Sequence, residues 1–228
     1  MSGSLVSPEL RARVRGVATP IALGFGRLGL TPNHLTLIGF GIAIVSAVAA
    51  AQQAWIAAGV LLLVGGVFDL FDGALARATG QASRLGAFMD SVFDRAGEAV
   101  VYVGIAAGCV AADFGLGAVL AAAAMASAFM VSYVRAKSES LGFTSGTGMA
   151  AIGLAPREVR IVILTLGLLL TGILGGIGIG YDFGLYLVDS WTASGRPILA
   201  VALGIITIFA TITTIQRIVH VIRQSPQQ

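Results

Sequence analysis

The stretch AWIAAGVLLLVGGVFDLFDGALA, residues 54–76, decides the fold class, because it is 23 residues long and its only charged side chains are Asp69 and Asp72. About 20 apolar residues in an α-helix span the ~30 Å hydrocarbon core of a bilayer. Lipid cannot satisfy backbone hydrogen bonds, and period-2 alternation is absent, so such runs predict helices. We therefore expect an all-α integral membrane protein with six transmembrane helices. The other five runs are approximately Leu35–Ala51, Leu85–Ala112, Leu116–Val134, Val159–Gly180 and Pro197–Ile218.

The composition agrees with a membrane protein and excludes several soluble classes. Of 228 residues, 57% are hydrophobic and 11% are charged, whereas an ordinary soluble domain carries about 25% charged residues. Cys109 is the only cysteine, so a disulfide scaffold is excluded. With a single lysine, and with arginines scattered between apolar runs, the sequence gives no indication of nucleic-acid binding.

The basic residues predict which ends of the runs face the cytoplasm. Of the 14 Lys and Arg residues, Arg95 lies inside the third run and Arg196 falls outside. If the N-terminus is cytoplasmic, all the others lie on or near the cytoplasmic side, as the positive-inside rule requires. We therefore expect a multi-pass protein of the cell membrane with both termini in the cytoplasm.

The segment before the first run is predicted to lie on the membrane surface as an interfacial amphipathic helix. Apolar residues recur there at helical spacing between Val6 and Val17, beside three arginines at residues 11–15. Residues 1–30 are thus expected to form a cytoplasmic amphipathic segment, residues 31–223 the six-helix domain and residues 224–228 a cytoplasmic tail. The Gly-, Ser- and Thr-rich segment Gly142–Ala155 is expected to be a flexible cytoplasmic loop.

Four aspartates stand where a membrane helix ordinarily carries none. Asp69 and Asp72 lie three residues apart near the end of the second run, and Asp90 and Asp94 lie four residues apart near the start of the third. Each pair therefore shares one face of its helix. A charged residue at mid-bilayer costs about 2.5–3.5 kcal/mol, so some interaction must offset the cost of four.

The short polar turn between these two runs brings the aspartate pairs to the same end of an antiparallel helix hairpin. At 1.5 Å per residue both pairs lie at similar depth, so they can face each other. Convergent carboxylates with no His or Cys nearby are typical of a hard divalent cation site, Mg²⁺ or Mn²⁺, rather than of zinc. Glu98, one turn beyond Asp94, is expected to pair with Arg95 or to line the cavity. The predicted metal ligands, on the cytoplasmic side, are Asp69, Asp72, Asp90 and Asp94.

Small and basic residues surround the predicted metal site. Gly86 lies one turn before Asp90 on the same helix face and leaves space beside the metal, and Gly73 lets a ligand approach the backbone. Arg77 and Arg84 flank the turn and are candidates for holding phosphate oxygens. Taken singly, Gly86 also fits helix packing and the two arginines also fit cytoplasmic anchors, so both interpretations stay open.

Written with its spacing, the region reads Asp69-x2-Asp72-Gly73-x2-Ala76-Arg77-x8-Gly86-x3-Asp90-x3-Asp94. This pattern resembles the signature of the CDP-alcohol phosphotransferase family and matches it at every fixed position. The six-run plan, the amphipathic N-terminus and the sequence Thr31-Pro32-Asn33-x2-Thr36 before the first run are similar to the family as well. The resemblance therefore extends over most of the chain.

The resemblance implies a metal-dependent reaction in which a CDP-linked lipid, CDP-diacylglycerol or CDP-archaeol, donates its phosphatidyl group to an alcohol and CMP is released. It implies that three of the aspartates ligate Mg²⁺ or Mn²⁺, and that Asp94 deprotonates the acceptor hydroxyl as general base and also touches the metal site. It further implies a homodimer in contact with membrane lipids. The CDP-binding residues it implies are Asp69, Gly73, Ala76, Arg77, Gly86, Asn33, Thr36 and Arg84.

Basic residues near the same surface point to an acceptor that itself carries phosphate. Arg135 and Lys137 follow the fourth run, and Arg157 and Arg160 share a helix face at the start of the fifth. These segments resemble the phosphatidylinositol-phosphate synthase branch of the family, including its archaetidylinositol-phosphate synthases, so the acceptor we expect is inositol 1-phosphate. Glycerol 3-phosphate, the acceptor of phosphatidylglycerophosphate synthases, fits the same charges, whereas serine fits less well. Simple cytoplasmic anchoring also explains the four cations.

Two other classes of membrane protein use intramembrane acids. A cation- or proton-coupled transporter predicts acids spread across the bilayer depth and broken helices, whereas the four aspartates cluster at one side. An intramembrane prenyltransferase also uses Asp and Mg²⁺, but Gly73, Ala76 and Arg77 do not suit its pattern. The sequence therefore favours a phosphatidyltransferase.

Overall fold

The chain folds as a bundle of helices. The computed structural model describes residues 8–143, 153–176 and 195–224, and over these ranges it contains seven helices and no strand. The helices are α1 (Pro8–Arg27), α2 (Pro32–Ala51), α3 (Trp55–Ala78), α4 (Arg84–Ala111), α5 (Gly115–Ser140), α6 (Arg157–Gly176) and α7 (Arg196–Gln224). In order, α2 to α7 correspond to the six predicted runs, with ends that differ by several residues.

Several predicted segments lie partly or wholly outside the described residues. They are residues 1–7 of the amphipathic segment, residues 144–152 of the predicted loop Gly142–Ala155, the end of the fifth run after Gly176, the break that follows it up to residue 194, and residues 225–228 of the tail. The predictions for these segments therefore stay predictions.

Five of the described helices, α2, α3, α5, α6 and α7, are long and apolar enough to cross a bilayer. The 28-residue α4 is not in this group, because its first half carries a run of charged side chains. These are Arg84, Asp90, Asp94, Arg95 and Glu98. The fold is that of an all-helical integral membrane protein, and the sixth span stays a prediction.

From α2 to α7, helices that follow one another along the chain run in opposite directions. Thr36 and Ser46 of α2 contact Asp72 and Ala58 of α3, respectively, so α2 and α3 are antiparallel. Asp69 near the end of α3 contacts Arg157 at the start of α6, and Gly59 near the start of α3 lies against Leu169 farther along α6, so these helices are also antiparallel. Contacts in the same order make α2 parallel to α4 and α5 parallel to α7. This alternation is what a chain that passes repeatedly through a bilayer requires.

Glycines bring α4 into backbone contact with α2. A Cβ at Gly104 would overlap the carbonyl oxygen of Ala47, and a Cβ at Gly108 would overlap that of Ala50. Small residues are typical of helix contacts in membranes, where close van der Waals packing holds helices together. This contact lies near the C-terminal ends of α2 and α4, away from the aspartates.

The helix α6 begins beside the middle of α4. Asp94 and Glu98 of α4 contact Arg157 and Arg160 of α6 in the same order, so the two helices are parallel where they meet. Glu98 lies ~21 Å along α4 from its start, whereas Arg160 lies ~5 Å along α6. The first turns of α4, which carry Asp90, therefore extend past the start of α6.

The N-terminal helix α1 packs against the C-terminal end of α3. Ala18 and Ala22 are buried there in an apolar cluster with Phe71 and Leu75. Phe71 and Leu75 flank Asp72 in the sequence, so α1 lies at the same end of the bundle as the aspartates.

Candidate active site

The turn between α3 and α4 is tight because the sequence ends one helix and begins the next within residues 79–83. Gly80 has φ +67°, the left-handed conformation that favours glycine just after a helix. The Ser83 hydroxyl accepts a hydrogen bond of 3.0 Å from the amide of Gly86 and caps α4. Asp72 and Asp90 each lie six residues from this turn, ~9 Å along their helices. The turn therefore sets both carboxylates at the same height.

Three of the four aspartates converge. Asp69, Asp72 and Asp90 each offer a carboxylate oxygen, and these oxygens all lie within 4.8 Å of one another. Around Mg²⁺, ligands at ~2.1 Å are ~3.0 Å apart when adjacent and ~4.2 Å apart when opposite, so small side-chain rotations suffice to close on an ion. The donor set is all oxygen, which suits Mg²⁺ or Mn²⁺ and not zinc. These residues therefore fit the predicted divalent cation; we call them the carboxylate cluster.

The hydroxyl of Thr36 on α2 forms a hydrogen bond to one member of the cluster. Its Oγ1 donates to Asp72 Oδ2 at 2.7 Å, and both side chains are buried. The carbonyl of Pro32 is also 3.2 Å away, but the shorter, charged contact takes the single proton more strongly. Thr36, which the family resemblance places in the CDP site, thus contacts a candidate metal ligand in the described structure.

Arg157 at the start of α6 links the fourth aspartate to the cluster. Its Nη1 lies 2.5 Å from Asp69 Oδ2 and 2.7 Å from Asp94 Oδ2. Asp94 Oδ2 also accepts from Arg95 Nη1 at 3.1 Å, and Arg95 Nε donates to Ser132 of α5. The arrangement places one guanidinium beside a candidate metal ligand and a candidate base, where a phosphate group would need a cation.

Arg160 faces a different partner. Its Nε and Nη2 donate to the two carboxylate oxygens of Glu98 at 2.8 and 2.7 Å. Of the two expectations for Glu98, pairing with Arg95 is therefore wrong, and lining the cavity is confirmed. Arg95 instead turns to Asp94. Glu98 continues the helix face of Asp90 and Asp94, and this spacing was the signal in the sequence for an inward-facing acid.

The residues implied for CDP binding gather around the ends of α2, α3 and α4. The guanidinium of Arg77 lies over Gly73, where a Cβ would stand 3.2 Å from Arg77 Nη1. At the start of α4, a Cβ on Gly86 would lie 3.5 Å from the side-chain oxygen of Asn33. Arg77 and Arg84 are exposed, and Ala76 is half-buried. These glycines therefore open space next to polar groups at the same end of the bundle as the cluster.

Unlike Arg157, the basic residues of α5 have no described contact with the carboxylate cluster. Arg135 pairs with Glu139 of its own helix at 2.8 Å, and Lys137 is exposed. A buried cation that the sequence analysis did not single out lies close by: Arg217 of α7 donates to the carbonyl of Val131 at 2.7 Å. Because Arg217 lies inside a long apolar run, its place in the sequence did not indicate a role at the site.

A cavity extends inward from the carboxylates between α2, α3, α4 and α6. Its polar end includes Thr36, Asp69, Asp94 and Arg157, and its remaining wall is mostly apolar, with glycines at several positions. Its volume is about 50 Å³. The charged side chains thus stand at the boundary between a polar mouth and an apolar interior.

Comparison with known proteins identifies the family. Residues 29–223 match the family model described as CDP-alcohol phosphatidyltransferase. The chain belongs to this family. It is therefore a transferase of phospholipid biosynthesis that depends on a divalent metal, and the transporter and prenyltransferase alternatives are set aside.

Relatives of this CDP-alcohol phosphatidyltransferase cover most of its length. Archaetidylinositol phosphate synthase of Pyrococcus horikoshii is 37% identical over 186 residues, which are 80% of this chain and 89% of the relative. Phosphatidylinositol phosphate synthase of Cutibacterium acnes is 33% identical over 217 residues, which are 94% of this chain and 97% of the relative. The expected family and enzyme class are thus confirmed.

Solved structures of phosphatidylinositol phosphate synthase from Mycobacterium tuberculosis share the fold. The structure with CDP-DAG bound has a TM-score of 0.71 at 25% sequence identity and covers 90% of this chain and 93% of its own. The structure in complex with manganese and citrate has a TM-score of 0.72, also at 25% identity, and covers 90% and 88%. In the Mycobacterium tuberculosis enzyme this fold binds CDP-DAG in one structure and manganese in the other.

Proposed function

We propose that the chain transfers the phosphatidyl group of a CDP-linked lipid, CDP-diacylglycerol or CDP-archaeol, to inositol 1-phosphate and releases CMP. The observation that carries the proposal is Arg157 beside the carboxylate cluster: a place for a divalent cation and a cation for the acceptor phosphate lie side by side. The relatives named as inositol-phosphate-using synthases support the choice of acceptor. Glycerol 3-phosphate, which carries the same charge, is the alternative acceptor.

In the proposed mechanism Asp69, Asp72 and Asp90 would hold Mg²⁺ or Mn²⁺. When bound, the ion supplies Lewis-acid neutralisation of the pyrophosphate charge. Asp94 takes the proton of the acceptor hydroxyl, whose oxygen forms a bond to the phosphorus that carries the lipid. The bond from this phosphorus to the CMP oxygen breaks, and CMP leaves with the electron pair. Arg95 and Arg157 orient the Asp94 carboxylate for its proton transfer.

The nucleotide site is proposed at the ends of α2, α3 and α4. Gly73 and Gly86 give the nucleotide access to the backbone, and Asn33, Arg77 and Arg84 offer it polar contacts. The closeness of Gly86 to Asn33, and of Gly73 to Arg77, supports this placement. Ala76, Asp69 and Thr36 complete the proposed set.

The acceptor site is proposed between Arg157 and the basic end of α5. Arg157 is the member of the predicted set with direct contacts to Asp69 and Asp94. Arg135 and Lys137 are proposed to attract the phosphate from the cytoplasmic side, because exposed cations raise the local concentration of anions. Arg160 directs three of its N–H groups at Glu98 and at a backbone carbonyl, so its proposed contribution to the acceptor site is to hold the start of α6.

The proposed topology has six spans, α2 to α7, with both termini and the active site in the cytoplasm. The alternating helix directions support it, because they put the starts of α2, α4 and α6 at one end. Residues 1–30 are proposed as an amphipathic segment in the cytoplasmic interface, residues 31–223 as the catalytic domain and residues 224–228 as a tail. A homodimer in the cell membrane is part of the same proposal.

Release of CMP tests the function. Purified protein in detergent receives Mg²⁺ or Mn²⁺, CDP-diacylglycerol or CDP-archaeol, and inositol 1-phosphate, glycerol 3-phosphate or serine. We expect CMP with inositol 1-phosphate and a divalent cation, and none after chelation with EDTA. CMP with glycerol 3-phosphate alone would assign the alternative acceptor, and no CMP with any phosphorylated polyol would refute the proposal.

A further inference from the structure

A buried ion pair lies one helical turn inward from the proposed catalytic groups. Glu98 of α4 and Arg160 of α6 make two parallel hydrogen bonds, and their side chains are 8% and 1% exposed. Two charges removed from solvent are tolerated only with good geometry and further hydrogen bonds. A bidentate pair of this kind fixes the relative orientation of the two side chains as well as their distance, because the guanidinium and carboxylate planes must match.

The remaining contacts of Arg160 hold the segment that leads into α6. Its Nη1 donates to the carbonyl of Ala155 at 2.9 Å. The amides of Leu154 and Ala155 donate to Thr213 Oγ1 of α7 at 2.9 and 3.0 Å. The start of α6 is thus tied on one side to α4 through Glu98 and on the other to α7 through Thr213.

The segment held in this way carries Arg157. Arg157 precedes Arg160 by three residues on the same helix face, and it reaches Asp69 and Asp94 with a single nitrogen, Nη1. Its own Nε is buried and has no hydrogen-bond partner, so the described ion pairs hold the guanidinium at Nη1 alone. The position of the Arg157 guanidinium therefore depends on where the first turn of α6 is fixed.

We propose that Glu98 is a positioning residue of the acceptor site: through Arg160 it fixes the start of α6 and with it the guanidinium of Arg157. Glu98 does not touch the reacting atoms. The inference rests on the proposed function, because it assigns Arg157 to the acceptor phosphate. It predicts that loss of the Glu98 carboxylate weakens use of the acceptor much more than use of the donor.

Two variants separate positioning from stability. Glu98→Gln keeps the size of the side chain and removes its charge. The double variant Glu98→Leu, Arg160→Met removes both charges together, and apolar replacement of a buried ion pair is often neutral or stabilising, so it keeps the protein folded if Glu98→Gln does not. Ser46→Ala is the matched control, because it removes another buried hydrogen bond, from α2 to Ala58 of α3, far from the acceptor side.

Kinetics and hydrogen exchange are measured on the full chain in detergent. In both Glu98 variants we expect the acceptor KM to rise at least about tenfold while the donor KM changes less than about threefold, and Ser46→Ala to change neither. In Glu98→Gln we expect faster amide exchange over residues 154–164 than in the wild type. Equal losses for donor and acceptor, an unchanged acceptor KM, or unchanged exchange at these amides would each overturn the proposal.

Failure of the proposed function has a different signature. If the wild type releases no CMP with inositol 1-phosphate, the acceptor assignment is wrong for the unmodified protein. The exchange measurement needs no substrate, so it still decides whether Glu98 fixes the start of α6.

Discussion

Replacing Thr36 by valine removes one hydrogen bond and little volume, which makes it a sharp test of the carboxylate cluster. Thr36 Oγ1 donates to Asp72 Oδ2 at 2.7 Å, and both residues are less than a tenth exposed. Water therefore has little access to replace the lost donor. The Asp72 carboxylate loses the contact that holds its orientation toward Asp69 and Asp90.

Two effects of this change oppose each other. A carboxylate without its donor has more charge to offer a metal, but it is no longer held in the ligating orientation. A hydrogen bond to a charged acceptor contributes about 1.5–3 kcal/mol, and loss of outer hydrogen-bond partners of metal ligands typically lowers affinity by about 10–100-fold. The loss of orientation therefore outweighs the gain in available charge. We expect Mn²⁺ to bind Thr36→Val about 10–100-fold more weakly than the wild type.

Electron paramagnetic resonance of free Mn²⁺ in titrations of the purified protein measures this affinity directly. Thr36→Ser keeps the hydroxyl and should bind Mn²⁺ within about threefold of the wild type. Ser46→Ala, which loses a buried hydrogen bond elsewhere in α2, should do the same. Wild-type affinity in Thr36→Val, or equal losses in Thr36→Val and Ser46→Ala, would refute the reasoning.

Two further predictions concern catalysis and packing. Asp94→Asn should lower kcat by at least about 100-fold, because an amide cannot accept the hydroxyl proton, and should leave CDP-lipid binding within about threefold; near-normal turnover in the CMP assay would remove Asp94 from the role of base. Gly104→Ala should lower the thermal unfolding midpoint of the purified protein, since its Cβ would overlap the carbonyl oxygen of Ala47. Gly115→Ala, where a Cβ meets nothing, is the control, and equal midpoints for the two variants would contradict the packing argument.

The helices were predictable because an apolar run of bilayer length has few alternatives to a helix in lipid. The convergence of Asp69, Asp72 and Asp90 was predictable for a similar reason: spacings of three and four fix a helix face, and a short turn fixes the pairing of two helices. Such signals are local, since each involves residues close together along the chain.

The contacts that organise the site were not predictable from the sequence. Arg160 and Glu98 are 62 residues apart, and Thr36 and Asp72 are 36 apart, so no helical spacing relates them. Their pairing depends on which helices are neighbours and on how far each is shifted along its axis. The start of α4 shows the same limit. Its charged side chains lower its mean hydropathy, and hydropathy does not distinguish charges that face lipid from charges that face a cavity.

The offset between α4 and α6 has a consequence for how two unlike substrates meet. At 28 residues α4 is ~42 Å long, about 12 Å more than the hydrocarbon core needs. Where the two helices pack together, α4 begins ~16 Å before the first residue of α6, and Asp90 lies on this part of α4. In the proposed topology this part of α4 faces the aqueous side, so a water-soluble acceptor reaches Asp90 and Arg157 without entering the bilayer.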